Sequence, residues 1–283
     1  MSFARRIKGW LKRNLRRARA RYDRLFRAFS PADLAGALRA SGVRPGDVLF
    51  AHVAFNDFRG FSGSPSEVIG ALREALGEDG TLLMPTMPFT GTAVDYLGSG
   101  KPFDVRRTAS RMGIVTELFR RLPDTLRSAH PTHSVAASGA KAALMLEGHD
   151  RAATPCGVHS PYHALMDHDA KIALLGTGIG ALTFFHTLEE ILEPLMPRSP
   201  FTKEHYTVSY LGRNGEKREA RMRLFDPGMS KRRDLRILER ALRAAGHWTE
   251  RRVGGLSLVI LEARKVHAVA RDMAMQEVFC YRP

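Results

Sequence analysis

Apolar residues in this chain fall into two alternating rhythms. Leu34, Ala37 and Leu38 lie on one helical face directly after Ser30-Pro31, where Ser30 caps and Pro31 fits the first turn. Val68, Ile69, Leu72 and Leu76 repeat that spacing and predict a helix over 65–76. Between these helices, residues 47–54 form a short apolar run of the kind that makes a buried strand. A second run, Thr81-Leu82-Leu83-Met84-Pro85, follows the turn at 77–80 and is ended by its proline. Further along, the pattern predicts helices over 112–121, 182–192, 235–245 and 266–275, with strands over 172–176 and 256–261. Strands interleaved with helices predict a layered α/β domain around a largely buried sheet. The stretch 86–111 has neither rhythm; long, polar and glycine-rich, it is a candidate active-site loop.

One segment stands apart by charge. Residues 1–27 hold eleven Lys or Arg against the single acid Asp23, while Phe3, Ile7, Trp10, Leu11, Leu15 and Ala18 recur at helical steps. A basic amphipathic helix over 1–29 is therefore expected, appended to one catalytic domain over 30–283. Such a helix suits an anionic membrane surface or an acidic protein partner; packing on its own domain, organellar targeting and nucleic-acid binding are the other readings. The whole chain carries a formal charge of +15, and most of that excess sits in this segment. A 44% apolar fraction over 283 residues excludes a disordered chain. Cys156 and Cys280 are too few for a disulfide framework or a four-thiolate zinc site. No eighteen-residue apolar run and no secretory leader are visible, so a cytoplasmic location is expected, with the basic helix offering a route to the inner face of a membrane.

Candidate chemistry centres on histidines. His186 precedes Glu189 by three residues on the predicted 182–192 helix, which puts carboxylate and imidazole on one face. A carboxylate there fixes the imidazole tautomer and raises its basicity, as a general base requires; the same spacing also arises by chance on solvated helices. No His-Glu-x-x-His segment is present, so no metal is expected. A second cluster, Arg127-Ser128-Ala129-His130-Pro131-Thr132-His133-Ser134, is dense in donors, and its bland reading is a polar surface loop. A third is His52 at the end of the first strand, followed by Gly60-Phe61-Ser62-Gly63. The turn Gly176 to Ala181 fits Gly-x-Gly-x-x-Ala only loosely, and no Walker loop or Gly-x-Ser-x-Gly elbow occurs.

The ordered series Val48-Leu49-Phe50-Ala51-His52, Glu78-Asp79-Gly80-Thr81-Leu82-Leu83-Met84-Pro85, His130-Pro131-Thr132-His133-Ser134 and Thr183-Phe184-Phe185-His186-Thr187-Leu188-Glu189 resembles the aminoglycoside 3-N-acetyltransferase family, which is distinct from the GNAT fold. The likeness runs over roughly 30–275, leaving the first 29 residues outside it. The resemblance implies an αβα sandwich that passes acetyl from acetyl-CoA directly to an amine of an aminoglycoside-like or amino-sugar acceptor, without a metal. It assigns the base to His186 with Glu189. It places His52, Val53, Ala54, Ser134 and Val135 along the pantetheine of acetyl-CoA, with His130 in support.

Two departures from the family pattern qualify this. Val53-Ala54 stand where the family often has Ser or Thr, leaving backbone N–H groups as the oxyanion donors there. Gly180-Ala181-Leu182 stand where it often has Asp and Asn, removing acid from the acceptor side of a basic protein. The competing reading is a catalytically weakened relative that works as a membrane- or partner-docked binding protein; nucleic acid is the least favoured partner.

Overall fold

The computed structural model describes residues 8, 10, 14, 21–23 and 25–282. The basic helix expected over 1–29 falls for the most part outside these described residues. Ten strands are present among the described residues: β1 (Val48–Val53), β2 (Thr81–Pro85), β3 (Phe103–Asp104), β4 (Leu126–Arg127), β5 (Val135–Gly139), β6 (Lys171–Leu175), β7 (Tyr206–Leu211), β8 (Lys217–Met222), β9 (Thr249–Val253) and β10 (Leu256–Glu262). The α-helices among the described residues are α1 (Pro31–Ala40), α2 (Pro65–Leu76), α3 (Ala93–Gly98), α4 (Ile114–Phe119), α5 (Ala142–Leu146), α6 (Pro161–Asp167), α7 (Phe185–Ile191), α8 (Pro227–Arg232), α9 (Arg236–Ala244) and α10 (Ala263–Met275). Ser30 and Ser64 both close capping boxes, with Asp33 and Glu67 returning the hydrogen bond, which fixes where α1 and α2 begin.

Seven strands form the main sheet in the order β4-β5-β2-β1-β6-β10-β9. The heart, β2-β1-β6, is parallel, and the outer pairings are antiparallel. Because successive side chains point to opposite faces, β1 splits its apolar run between two cores. Val48 and Phe50 pack with Leu83, Ile172, Leu174 and residues of α6, α7, α9 and α10, while Leu49, Ala51 and Val53 pack with α1, α2 and α4. This is the expected αβα layering.

Two features lie outside the expected pattern. A second sheet, β3-β7-β8, makes its own small core from Phe103, Tyr210, Met222 and Leu224. In addition, Phe29 is 4% exposed, packs against Phe58 and Phe61, and bridges to Phe61 across the backbone. The packed body therefore reaches upstream of the boundary expected at residue 30.

The three parallel strands all run out at one place. Pro85 of β2, Val53 of β1 and Thr177, just past β6, border the same depression, as open α/β sheets arrange their ligand crevices. Gly176 makes the turn there possible: its φ is +69°, and a Cβ would stand 2.9 Å from the Cβ of Asp57.

Candidate active site

The depression is a cavity of about 350 Å³. His52 and Val53 supply its floor from β1, and Met87, Phe89, Thr90, Gly91, Thr92 and Ala93 come from the 86–111 loop. Met112 and Thr116 approach from the start of α4; Thr177, Gly180, Ala181 and Thr183 from the turn after β6; His186 from α7; Phe225, Ser230 and Arg233 from the segment after β8. The loop without periodicity is thus a wall of the cavity. Part of it is ordered by α3, where Thr92 caps and pairs with Asp95.

His186 and Glu189 meet as their spacing predicts: Nδ1 lies 2.6 Å from Glu189 Oε2. With Nδ1–H donated to the carboxylate, Nε2 keeps its lone pair on the cavity side. The Phe225 ring lies 4.2 Å from the imidazole, centroid to centroid, and limits its motion. Glu189 is deeply buried, its side chain 1% exposed, and it collects more than the histidine. Arg233 donates through Nη2 at 2.8 Å and Nε at 3.2 Å, and Tyr281 donates its hydroxyl to the same carboxylate oxygen. Arg233 and Tyr281 reach it together because their backbones pair antiparallel, with Asp234 N–H donating to the Cys280 carbonyl.

Burial pushes the Glu189 carboxyl up, but His186, then Arg233 and Tyr281, outweigh it and hold the group below its ordinary value. For His186 the balance runs opposite to the basicity expected from the carboxylate alone. Burial and the Arg233 charge lower its pKa more than Glu189 raises it. The imidazole is consequently neutral at physiological pH, the form a proton acceptor needs.

Three residues that border the cavity each carry a buried polar atom with no hydrogen-bond partner among the described residues: His52 Nε2, Thr177 Oγ1 and Thr183 Oγ1. A buried polar group left unpaired costs about 1–3 kcal/mol, so three around one cavity point to a polar ligand that completes them. Burial drives the His52 pKa down to about 3, which keeps that ring neutral as well. A pantetheine chain, with two amides and a thioester, presents both donors and acceptors for such groups. Residues His52, Thr177 and Thr183 therefore fit the acyl donor.

Other expected contacts are placed elsewhere. Ala54 donates its N–H to the Leu175 carbonyl at 2.9 Å, so it is not free to serve an oxyanion. Ser134 is fully buried; its hydroxyl donates to the Thr86 carbonyl and receives Arg127 Nε. Val135 pairs with Pro85 inside the sheet, and its N–H goes to Ser128 Oγ. His130 is 1% exposed, and its Nδ1 accepts the His133 N–H at 3.0 Å. Ser134, Val135 and His130 thus lie behind the cavity wall and do not border it. The donor-dense 127–134 cluster is an internal clamp: Arg127 reaches the carbonyls of Thr86, Val105 and Thr108, and burial lowers its pKa to about 9. One member of the cluster, His133, does border the cavity, 5.8 Å from the His186 ring.

Sequence reasoning misses Arg233, Tyr281, Phe225 and Thr177. Thr183 lies inside the histidine motif, where nothing in the pattern marks it for a ligand. Arg233 has no signal of its own among 44 basic residues.

Known proteins resemble this chain in sequence and in fold. A family model described as aminoglycoside 3-N-acetyltransferase matches residues 50–275. Aminoglycoside N(3)-acetyltransferase IV of Salmonella sp is 34% identical over 62% of this chain and 63% of its own length. Aminoglycoside N(3)-acetyltransferase III of Serratia marcescens is 31% identical over 64% of this chain and 70% of its own. The first of these two alignments thus spans a little under two thirds of the relative. A solved structure of aminoglycoside acetyltransferase AAC(3)-IVa in complex with a gentamicin superimposes with a TM-score of 0.75 at 26% identity, covering 90% of this chain and 92% of that one.

Proposed function

The chain belongs to the aminoglycoside 3-N-acetyltransferase family, and from that membership we propose that it is an acetyl-CoA-dependent N-acetyltransferase acting on an amine of an aminoglycoside-like or amino-sugar acceptor, with His186 as general base. The observation that carries the proposal is the His186–Glu189 pair, 2.6 Å apart, bordering a cavity whose lining residues carry unpartnered polar atoms that suit a pantetheine arm.

Acetyl-CoA supplies an activated acetyl carbon: a C–N bond forms to the amine, the C–S bond breaks, and the nitrogen's proton ends on the released thiol. The amine enters as its free base and its nitrogen must shed one proton as the C–N bond forms, so a nearby proton acceptor is needed. His186 Nε2 takes that proton and, once charged, is steadied by Glu189 through Nδ1. It then returns the proton to the departing sulfur and is neutral again. Arg233 and Tyr281 keep Glu189 ionised and aimed, acting through it as positioning residues. Phe89, Phe225 and Met112 exclude water from the reacting atoms, which limits loss of acetyl to hydrolysis. Direct transfer is consistent with the two cysteines: burial pushes the Cys156 thiol well above its ordinary pKa, and Cys280 up to about 12, so neither is a thiolate nucleophile. The complete base favours turnover over the weakened, docked relative.

His186→Ala tests this. Thiol release from acetyl-CoA with an accepted amine should fall by about 10²–10⁴, while CoA affinity measured by calorimetry stays within a few fold. Near-wild-type kcat in that variant at neutral pH would remove His186 as the base.

A further inference from the structure

The charge inventory of the catalytic cavity narrows the acceptor. Among the described side chains that border it, Arg233 alone is formally charged, and no carboxylate is present. None of the residues outside the described set is Asp or Glu. Several carboxylates on the elements around it are already engaged, while Asp57, beside the Gly176 turn, is exposed. Glu189 is held by His186, Arg233 and Tyr281, and Glu117 by Arg120, Arg121 and the Ser110 N–H. Asp95 accepts the hydroxyl of Thr92, the cap of its helix, and Asp104 accepts the N–H groups of Arg106 and Arg107. The mouth adds charge of the same sign as Arg233. Through Gly180, Ser230 and Arg233 the cavity adjoins a groove of about 420 Å³ bearing Arg236 and Arg282, whose one acid, Asp234, is chelated by Arg236.

We infer that the acceptor is a monoamine sugar, neutral or carrying a phosphate apart from the reacting nitrogen, and that polycationic aminoglycosides are poor acceptors. This rests on the acetyltransferase reading and narrows it. Each ammonium of a polyamine beyond the reacting one would exchange water for threonine hydroxyls, methionine and phenylalanine, with no carboxylate on the wall and Glu189 already paired to Arg233 behind it. A single sugar ring suits the same walls: Phe89 and Phe225 offer apolar faces, and Thr90, Thr92 and Thr116 offer hydroxyls. A phosphate on that ring would find Arg236 and Arg282 at the mouth.

The experiment compares glucosamine, glucosamine 6-phosphate and gentamicin as acceptors for the full chain, with binding measured by calorimetry on the CoA-loaded protein in parallel. Both amino sugars should exceed gentamicin in kcat/KM by about 100-fold, and gentamicin should bind the weakest of the three. Gly180→Asp puts a carboxylate into the wall where a Cβ meets nothing within 4 Å. It should shift the gentamicin-to-glucosamine ratio about tenfold toward gentamicin, and salt should erase that gain. Gly180→Asn, equal in size and uncharged, should leave the ratio alone. Gentamicin turned over faster, or bound more tightly, than both amino sugars by the wild-type protein overturns the inference while the acetyltransferase reading stands. If none of the three is acetylated the acetyltransferase reading fails, and the calorimetric order still decides the charge preference. CoA that abolishes glucosamine 6-phosphate binding, with glucosamine binding unaffected, would assign Arg236 and Arg282 to CoA's own phosphates and overturn the phosphate half.

Discussion

Glu189 and Glu190 are consecutive on α7, the first buried and the second largely so, and their surroundings push their pKa values in opposite directions. Glu189 faces the cavity side and meets His186, Arg233 and Tyr281, which together keep it ionised. Glu190 faces the 154–157 loop, where it receives only the Thr154 hydroxyl and, at 2.8 Å, the Cys156 N–H. Burial pushes its pKa up to about 8, and the neighbouring Glu189 charge adds to that. Burial alone drives a carboxyl toward its neutral form, and a cation in contact is what reverses it. The charged member serves an imidazole, whereas the neutral one ties a loop to a helix. Gly157 allows that tie, since a Cβ there would collide with the Glu190 carboxylate.

The largest expected effect comes from removing the cation that separates the two. Arg233→Met keeps the stem volume and strands the Glu189 charge. Breaking one side of a buried ion pair costs about 3–5 kcal/mol, a fall in melting temperature on the order of 10 °C. Calorimetry or thermal circular dichroism reads this directly. An unchanged melting temperature would mean that Glu189 does not depend on Arg233, and the contrast with Glu190 would lose its physical basis.

How much of this is legible in the sequence differs from element to element. β1, β2, β6 and β10 are buried on both faces, so each shows as an apolar run. β8 reads Lys-Arg-Glu-Ala-Arg-Met and β9 reads Thr-Glu-Arg-Arg-Val; both are largely exposed and carry no such mark. β5 hides for another reason: Val135-Ala136-Ala137-Ser138-Gly139 is buried but made mostly of small side chains, so it shows no strong apolar run. The dyad is visible because its partners are three residues apart on one helix. Arg233 and Tyr281 lie 44 and 92 residues from Glu189 and meet it only through the C-terminal backbone pairing, which no local pattern encodes. The histidine cluster misleads in the opposite way. Its polar groups read as available to a ligand, yet Ser134 donates its hydroxyl to the Thr86 carbonyl and His130 Nδ1 accepts the His133 N–H, both inside the protein.

A smaller effect sharpens the function of Glu189. Glu189→Gln removes the charge that favours the imidazolium, so burial and Arg233 act on His186 unopposed. The acid limb of the kcat/KM profile should move to lower pH, and the plateau should fall by about 10²-fold because the charged imidazole loses its support. Arg233→Met should move the same limb toward higher pH, since that guanidinium lowers the His186 pKa. A limb that moves the same way in both variants would contradict the assigned charges. Turnover across pH 5 to 9, each variant normalised to its folded fraction, provides the comparison.

The smallest effect is expected from Glu190→Gln, and it tests the other half of the contrast. Glu190 does not border the cavity and is protonated over most of the neutral range, so an uncharged isostere should leave kcat within about twofold. Stability should respond with a definite sign. Between the ordinary carboxyl pKa near 4.5 and the folded value of about 8, the unfolded chain has lost this proton while the folded chain retains it. The folded state then binds more protons than the unfolded state, so this group's contribution falls as pH rises through that window. Glutamine has no proton to lose and escapes the decline. Wild type and variant should therefore melt together near pH 4.5, and the variant should pull ahead by a few degrees as pH approaches 8. A variant that loses stability as pH rises relative to wild type would show Glu190 to be ionised, and burial would then not be what distinguishes it from Glu189.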